Sequence, residues 1–187
     1  MTDNEMHPGG MVPLVMVVSG GQTGVDRAAL DAALDFGIEI GGWCPRGRRA
    51  ADGVIPDKYP MIETHGKNYQ TRTKWNVCDS DATLIICRGE PSGGTALTIQ
   101  VCKDIPKPCM VYQLDDKNPA TVLKWLKNYN VNLLNIAGPR EFKSRPVYAR
   151  THQFLSELFE LMRQDASTPD QAKGSNVALE VVMHTPE

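Results

Sequence analysis

The 187-residue chain is 41% hydrophobic and 22% charged with a formal net charge of −2, the balance of one globular domain with material for a core. That charge excludes the cationic excess on which non-specific nucleic-acid binding depends, and the longest apolar stretch, Met11 to Val18, is far short of the ~20 residues of a membrane-spanning helix. The first ten residues lack the features of a secretory signal, and five cysteines without a Cys-x-x-Cys pair point to reduced thiols, so a cytoplasmic protein is expected.

In chain order, Val12 to Val18 reads as a short β-branched strand, apolar on both faces like a buried parallel strand. It runs into Ser19-Gly20-Gly21-Gln22-Thr23-Gly24. A helix follows from near Thr23 or Val25, because Val25, Ala28, Ala29, Ala32, Ala33 and Phe36 share one face of a 3.6-residue period. Gly37 stops it, and Ile38 to Ile40 completes a βαβ unit. The glycines and prolines between 41 and 60 predict a long loop carrying Trp43, Arg46, Arg48 and Arg49, of the kind that forms binding loops and lids. Tyr69 to Val77 predicts a short polar helix. The strand Ala82 to Cys87 then leads to a second glycine turn, Glu90 to Thr95.

A helix from Thr95 to about Lys103, a strand Cys109 to Leu114, and a helix from Pro119 to Tyr129 come next, with proline at the first helical position. The strand Leu133 to Ala137, the turn Gly138-Pro139-Arg140 and a helix from about Val147 to Arg163 complete the pattern. Residues 11–164 therefore read as a single α/β domain, a three-layer sandwich with a mostly parallel central sheet. A flexible N-terminus (1–10) and a loosely held tail (165–187) are expected to flank it.

Ligands of such sheets bind beyond the C-terminal ends of the strands, where both glycine turns fall. Glycines let backbone N–H groups approach an anion, and the helix N-terminus behind them adds a favourable dipole. Ser19, Gly20, Gly21, Gln22 and Thr23 are the first candidate phosphate ligands. Gly93, Gly94, Thr95 and Thr98 face them from the second turn, while Trp43 and Arg46 shape a lid. The first turn lacks the Gly-Lys-Ser/Thr of a P-loop, which argues against nucleoside-triphosphate hydrolysis. Both turns are equally readable as helix caps, with Thr23 and Thr95 as N-caps. Arg48 and Arg49 share the lid, and the pattern gives less reason to place Arg72 and Arg140 there. Asp79 and Asp81 form a carboxylate pair that a polar turn also explains. The four histidines are scattered, so no metal site is expected. Gly21→Asp is expected to abolish phosphate binding with little loss of fold.

The segments 19–31, 41–48, 52–60, 76–85 and 93–98, continuing through Asn135 to Arg140, resemble the molybdenum-carrier family, which includes the molybdenum-cofactor carrier proteins. The resemblance covers roughly residues 14 to 162. It implies a Rossmann-like fold related to lysine-decarboxylase-like, Lonely-Guy-type proteins, homo-oligomers (dimer or tetramer), and a molybdopterin held without turnover through its phosphate. The pterin dithiolene would hold the metal, so no protein metal ligand is required. Lonely-Guy-type phosphoribohydrolases carry Pro-Gly-Gly-x-Gly-Thr-x-x-Glu. Here Ser92-Gly93-Gly94-Thr95-Ala96-Leu97-Thr98-Ile99-Gln100 lacks the glycine before threonine and ends on an amide that cannot replace the carboxylate. The hydrolase alternative would pass acid–base work to Asp79 or Asp26, and a nucleotide-sensing module is the third alternative.

Overall fold

The computed structural model describes residues 14–116, 118–144 and 146–167. The expected N-terminal segment and nearly all of the expected tail lie outside the described residues, although 165–167 belong to the last helix. The first strand, β1, spans Met16–Val18, shorter than the expected run, since Leu14 and Val15 are described outside it. α1 (Val25–Asp35) starts at Gly24, whose φ of 87° makes it the N-cap in place of Thr23. β2 is Glu39–Gly41. The expected long loop contains β3 (Trp43–Cys44), β4 (Arg49–Ala50), β5 (Gly53–Val54) and β6 (Ile62–Glu63). These pair as a parallel β3–β6 ladder and an antiparallel β4–β5 hairpin. Two-residue strands leave too short a pattern to read from sequence.

The remaining elements follow the expected order. They are α2 (Tyr69–Cys78), β7 (Ala82–Cys87), α3 (Gly93–Asp104), β8 (Cys109–Gln113), α4 (Pro119–Asn128), β9 (Leu133–Ala137) and α5 (Tyr148–Ser167). Asn68 caps α2 by accepting the Gln70 N–H at 2.8 Å. α3 begins two residues before Thr95, at Gly93.

Five strands form one sheet in the order β2-β1-β9-β7-β8, and every neighbouring pair is parallel. This is a Rossmann-like three-layer α/β sandwich. Strand β7 is buried at all six positions, as a central strand covered on both faces must be. Alternation then divides the core. Leu84, Ile86, Leu134 and Ile136 join Ala29, Leu30 and Ala33 of α1 and Leu155 and Leu158 of α5 on one face. Ile85 meets Val77 and Cys102, from α2 and α3, on the other.

Three elements on the α1 face are also held by one carboxylate. Asp31 accepts Lys58 Nζ at 2.7 Å, Tyr148 Oη at 2.7 Å and Tyr59 Oη at 3.0 Å. Burial alone would raise this carboxyl, but the donors from Lys58, Tyr148 and Tyr59 hold it below its ordinary value. Its stabilising contribution is therefore present above the unfolded value of 3.8 and is lost as pH falls through the lowered folded value. Asp31→Ala is expected to cost about 2 kcal/mol at pH 7, since it leaves several donors unpaired. The difference from wild type, read by urea denaturation, should shrink as pH falls below the ordinary carboxylate range.

Candidate functional site

Strand order fixes where a site can form. From β1 the chain turns toward β2, and from β7 it turns the opposite way toward β8, with β9 between them. The loops leaving β1, β9 and β7 therefore meet at one switch point on the C-terminal edge. A crevice of about 280 Å³ opens there, lined by Gln22 and Asp26 after β1, Tyr69, Arg72 and Thr73 of α2, the start of α3, and Ala137 to Arg140 with Phe142 after β9. A second, larger cavity of about 610 Å³ adjoins it and shares Ser92, Thr95, Pro139, Arg140 and Phe142.

The second glycine turn opens directly onto this space. Ser92 occupies the N-cap of α3 but makes no side-chain capping bond; its carbonyl takes the Thr95 N–H at 3.1 Å, and the Gly93 and Gly94 N–H groups before it are left without a cap. A Cβ built on Gly93 or Gly94 would meet nothing within 4 Å. The approach to these N–H groups is open. Thr98 is buried and donates to Gly94 O at 2.9 Å. Thr95 is 4% exposed.

The first glycine turn is occupied from within. The Asp26 carboxylate, 3% exposed as a residue, accepts the Gln22 N–H at 3.3 Å and faces Arg72 Nη1 at 3.4 Å. It thus sits where the N–H groups of that turn point. Burial raises its pKa, against the lowering pull of Arg72, the Gln22 and Gly20 N–H groups and Arg140. Ser19 is fully buried and donates to Ile136 O at 2.7 Å. Gly20 is covered by the Arg72 guanidinium, which a Cβ there would overlap. Gln22 spends its side chain on Arg49 O at 2.8 Å and Ala51 N at 3.2 Å, holding the β4–β5 hairpin.

Gly21 has φ of 69°, and a Cβ there would lie 2.9 Å from Ile55 Cδ1. A Gly21→Asp change therefore strains the fold itself, unlike the expectation from sequence. Thr23 and Ser19 to Gly21 line neither cavity.

Trp43 and Arg46 also line neither cavity. The Trp43 indole packs edge-on to Trp75 at 4.6 Å and donates Nε1–H to Asp79 Oδ2 at 2.6 Å. Asn76 bonds both its N–H and its carbonyl. Asp79 is thereby committed to Trp43, and Asp81 accepts the N–H groups of Asn132 and Leu133. Arg46 is exposed, and its backbone N–H bonds Gly66 O at 3.0 Å. Arg48 spends its guanidinium on the carbonyls of Ile55, Pro56 and Tyr59 and so braces the loop.

Two arginines to which the sequence pattern gave less weight do reach the crevice. Arg72 is 15% exposed along its side chain, and its buried Nε has no hydrogen-bond partner among the described residues. Arg140 is exposed and lies over the Tyr69 ring, 5.4 Å from its centre. Gly138-Pro139-Arg140 is a third strand-end turn, and only the central place of β9 brings it here. Among the described residues no cluster of His, Cys, Asp and Glu is suited to a metal ion, and no helix is long and apolar enough to cross a membrane.

Comparison with known proteins agrees with this architecture. No curated protein matches the chain. A crystal structure at 1.45 Å resolution, of a protein from Syntrophus aciditrophicus SB named "putative molybdenum carrier protein", is 43% identical to it. The match has a TM-score of 0.74 and covers 78% of this chain and 94% of the other. The model of the circularly permutated YpsA SLOG family matches residues 17–159. With the parallel sheet, the three-turn crevice and these matches together, the chain belongs to the circularly permutated YpsA SLOG family, in its molybdenum-carrier-like branch.

Proposed function

We propose that the crevice binds the phosphate of a pterin- or nucleotide-like ligand, that molybdenum cofactor is its cargo, and that the protein carries this ligand without turnover. The observation that carries the reading is the uncapped start of α3, opening onto a cavity flanked by Arg72 and Arg140. Backbone N–H groups with a helix dipole behind them bind phosphate, and guanidinium groups add charge-assisted bonds. The Ser19–Thr23 turn supports the site from below, with Asp26 anchoring its N–H groups and setting the position of Arg72. The metal in such a cargo would be held by the pterin dithiolene, so the donors needed from the protein are those for phosphate, and these are present. The name of the Syntrophus protein supports the choice of cargo.

Native mass spectrometry of gently purified protein, with fluorescence of its oxidised extract, tests the reading. A co-purifying molybdopterin near one per chain supports it and gives the oligomer in the same spectrum; homo-oligomers are the expectation. A bound nucleotide in its place keeps the phosphate site and overturns the cargo. Arg140→Ala should weaken the phosphate ligand by roughly 10-fold or more, the worth of one charge-assisted hydrogen bond. Because Arg140 is exposed, thermal stability should hardly change.

One observation favours a second reading. Asp26 is a buried carboxyl with a raised pKa at the crevice wall, the setting of many acid–base groups. Gln100, where the hydrolase motif carries its carboxylate, is exposed and bonds Asp104 at 3.2 Å. Release of free base from a nucleoside monophosphate, abolished by Asp26→Asn, would establish the hydrolase in place of the carrier.

A further inference from the structure

The phosphate reading uses the smaller of two joined cavities and leaves the larger unexplained. That larger lobe, about 610 Å³, is walled on one side by Pro139, Phe142 and Val147. Phe142 is 56% exposed although it is a large aromatic side chain. It also lines the smaller lobe, so its ring stands at the junction. Thr95 marks the same junction from α3. It is 4% exposed, it lines both lobes, and its hydroxyl makes no hydrogen bond among the described residues. Unlike Thr151 Oγ1, this hydroxyl is not buried without a partner, so it stays accessible where the two lobes meet.

The charged groups of the larger lobe are of both signs. Arg88 pairs with Asp115 at 3.3 Å, and Asp115 also meets Arg150 at 3.2 Å. Glu90 lines the lobe without an ion pair or hydrogen bond among the described residues. Arg140, also in this lining, is assigned to the phosphate, which leaves the Glu90 carboxylate as an acceptor that can take two parallel N–H donors.

We infer that the larger lobe is a subsite for a planar ring bearing adjacent N–H donors, of the guanine or pterin type, stacked on Phe142 and read along its edge by Glu90. This inference rests on the phosphate reading, because phosphate at the start of α3 delivers the ring into the adjoining lobe past Thr95. Stacking explains why an aromatic side chain is left facing solvent. The carboxylate explains selectivity. Guanine and pterin present a ring N–H beside an exocyclic amine, whereas adenine presents a bare ring nitrogen that would face Glu90 with like polarity.

Three probes separate the parts when titrated calorimetrically into the full chain: guanosine monophosphate, adenosine monophosphate and ribose 5-phosphate. Wild type is expected to bind the guanine nucleotide at least about 10-fold more tightly than ribose 5-phosphate, the gain typical of one base stacked on one aromatic. It should also prefer guanine to adenine by several-fold. Phe142→Ala, at an exposed position that does not threaten the fold, should bring the guanine nucleotide down toward ribose 5-phosphate and leave the latter unchanged. Glu90→Gln should erase the preference for guanine over adenine without affecting ribose 5-phosphate. Equal binding of guanosine monophosphate and ribose 5-phosphate would overturn the ring subsite, as would a Phe142→Ala loss shared equally by all three probes. A preference for guanine that survives Glu90→Gln would overturn the role given to Glu90. Failure of all three probes to bind would instead overturn the phosphate reading beneath it.

Discussion

Gly24→Ala is expected to lower the thermal midpoint by roughly 10 °C, through a loss of about 4 kcal/mol. Two costs combine at this position. Its φ of 87° lies where L residues are strained. In addition, a Cβ would sit 2.5 Å from Pro139 O and from Glu141 N, which are backbone atoms of another segment and cannot swing away. The same Pro139 carbonyl accepts the Val25 N–H at 3.2 Å, so the start of α1 and the turn after β9 are in direct contact. Gly37→Ala supplies the control. Its φ of 69° carries the conformational cost alone, since nothing lies within 4 Å of a Cβ there, and about 1 kcal/mol should be lost. Equal losses at the two positions in urea denaturation would show that the contact between β1 and β9 loops is not as tight as described.

Arg72→Met is the second change with a large effect, expected to cost about 3 kcal/mol at pH 8 because it leaves the buried Asp26 carboxylate without its counter-charge. The pH dependence has a definite sign. Burial raises the Asp26 pKa above its ordinary 3.8, so the folded state holds this proton more tightly than the unfolded chain. Stability from this group is then greatest at low pH and falls as pH rises from 3.8 through the raised folded value. Arg72 is the largest of the influences that lower that pKa. Without it the folded pKa climbs further, and the variant's deficit should be small near pH 4 and grow toward pH 8. Adding Asp26→Asn should recover much of the loss at high pH. A deficit independent of pH would mean that Arg72 acts by packing over Gly20 and not by charge.

Most of the fold could be read from the sequence because its helices are periodic and its central strands are continuous apolar runs. Ala82–Cys87 and Leu133–Ala137 carry their boundaries in the apolar runs themselves, and α1 shows its buried face in the spacing from Val25 to Ala33. The site was legible only in part. Gly93, Gly94, Thr95 and Thr98 line the crevice, and glycine beside a helix start is a local signal. Ser19 and Gly20 carry the same signal, yet they are covered by their own neighbours, and no local pattern records that Asp26 and Arg72 fill the space. Phe142 and Arg140 reach the site through the position of β9 in the sheet, a tertiary fact with no period. Trp43 reads as a lid only while its loop is taken as open; short β3, with Asn76 and Asp79 at the end of α2, instead holds it in place.

The central place of β9 also governs when the protein can fold during synthesis. β1 pairs with β9 across more than a hundred residues, with Met16 against Leu133. Until residue 137 has left the ribosome, β1–β2 and β7–β8 are two separate strand pairs, each with an apolar edge awaiting the same partner. Such late closure makes folding slow and leaves unpaired edges exposed while the chain is growing. The last strand therefore acts as a keystone, and the two halves of the crevice are brought together in the same step that completes the sheet.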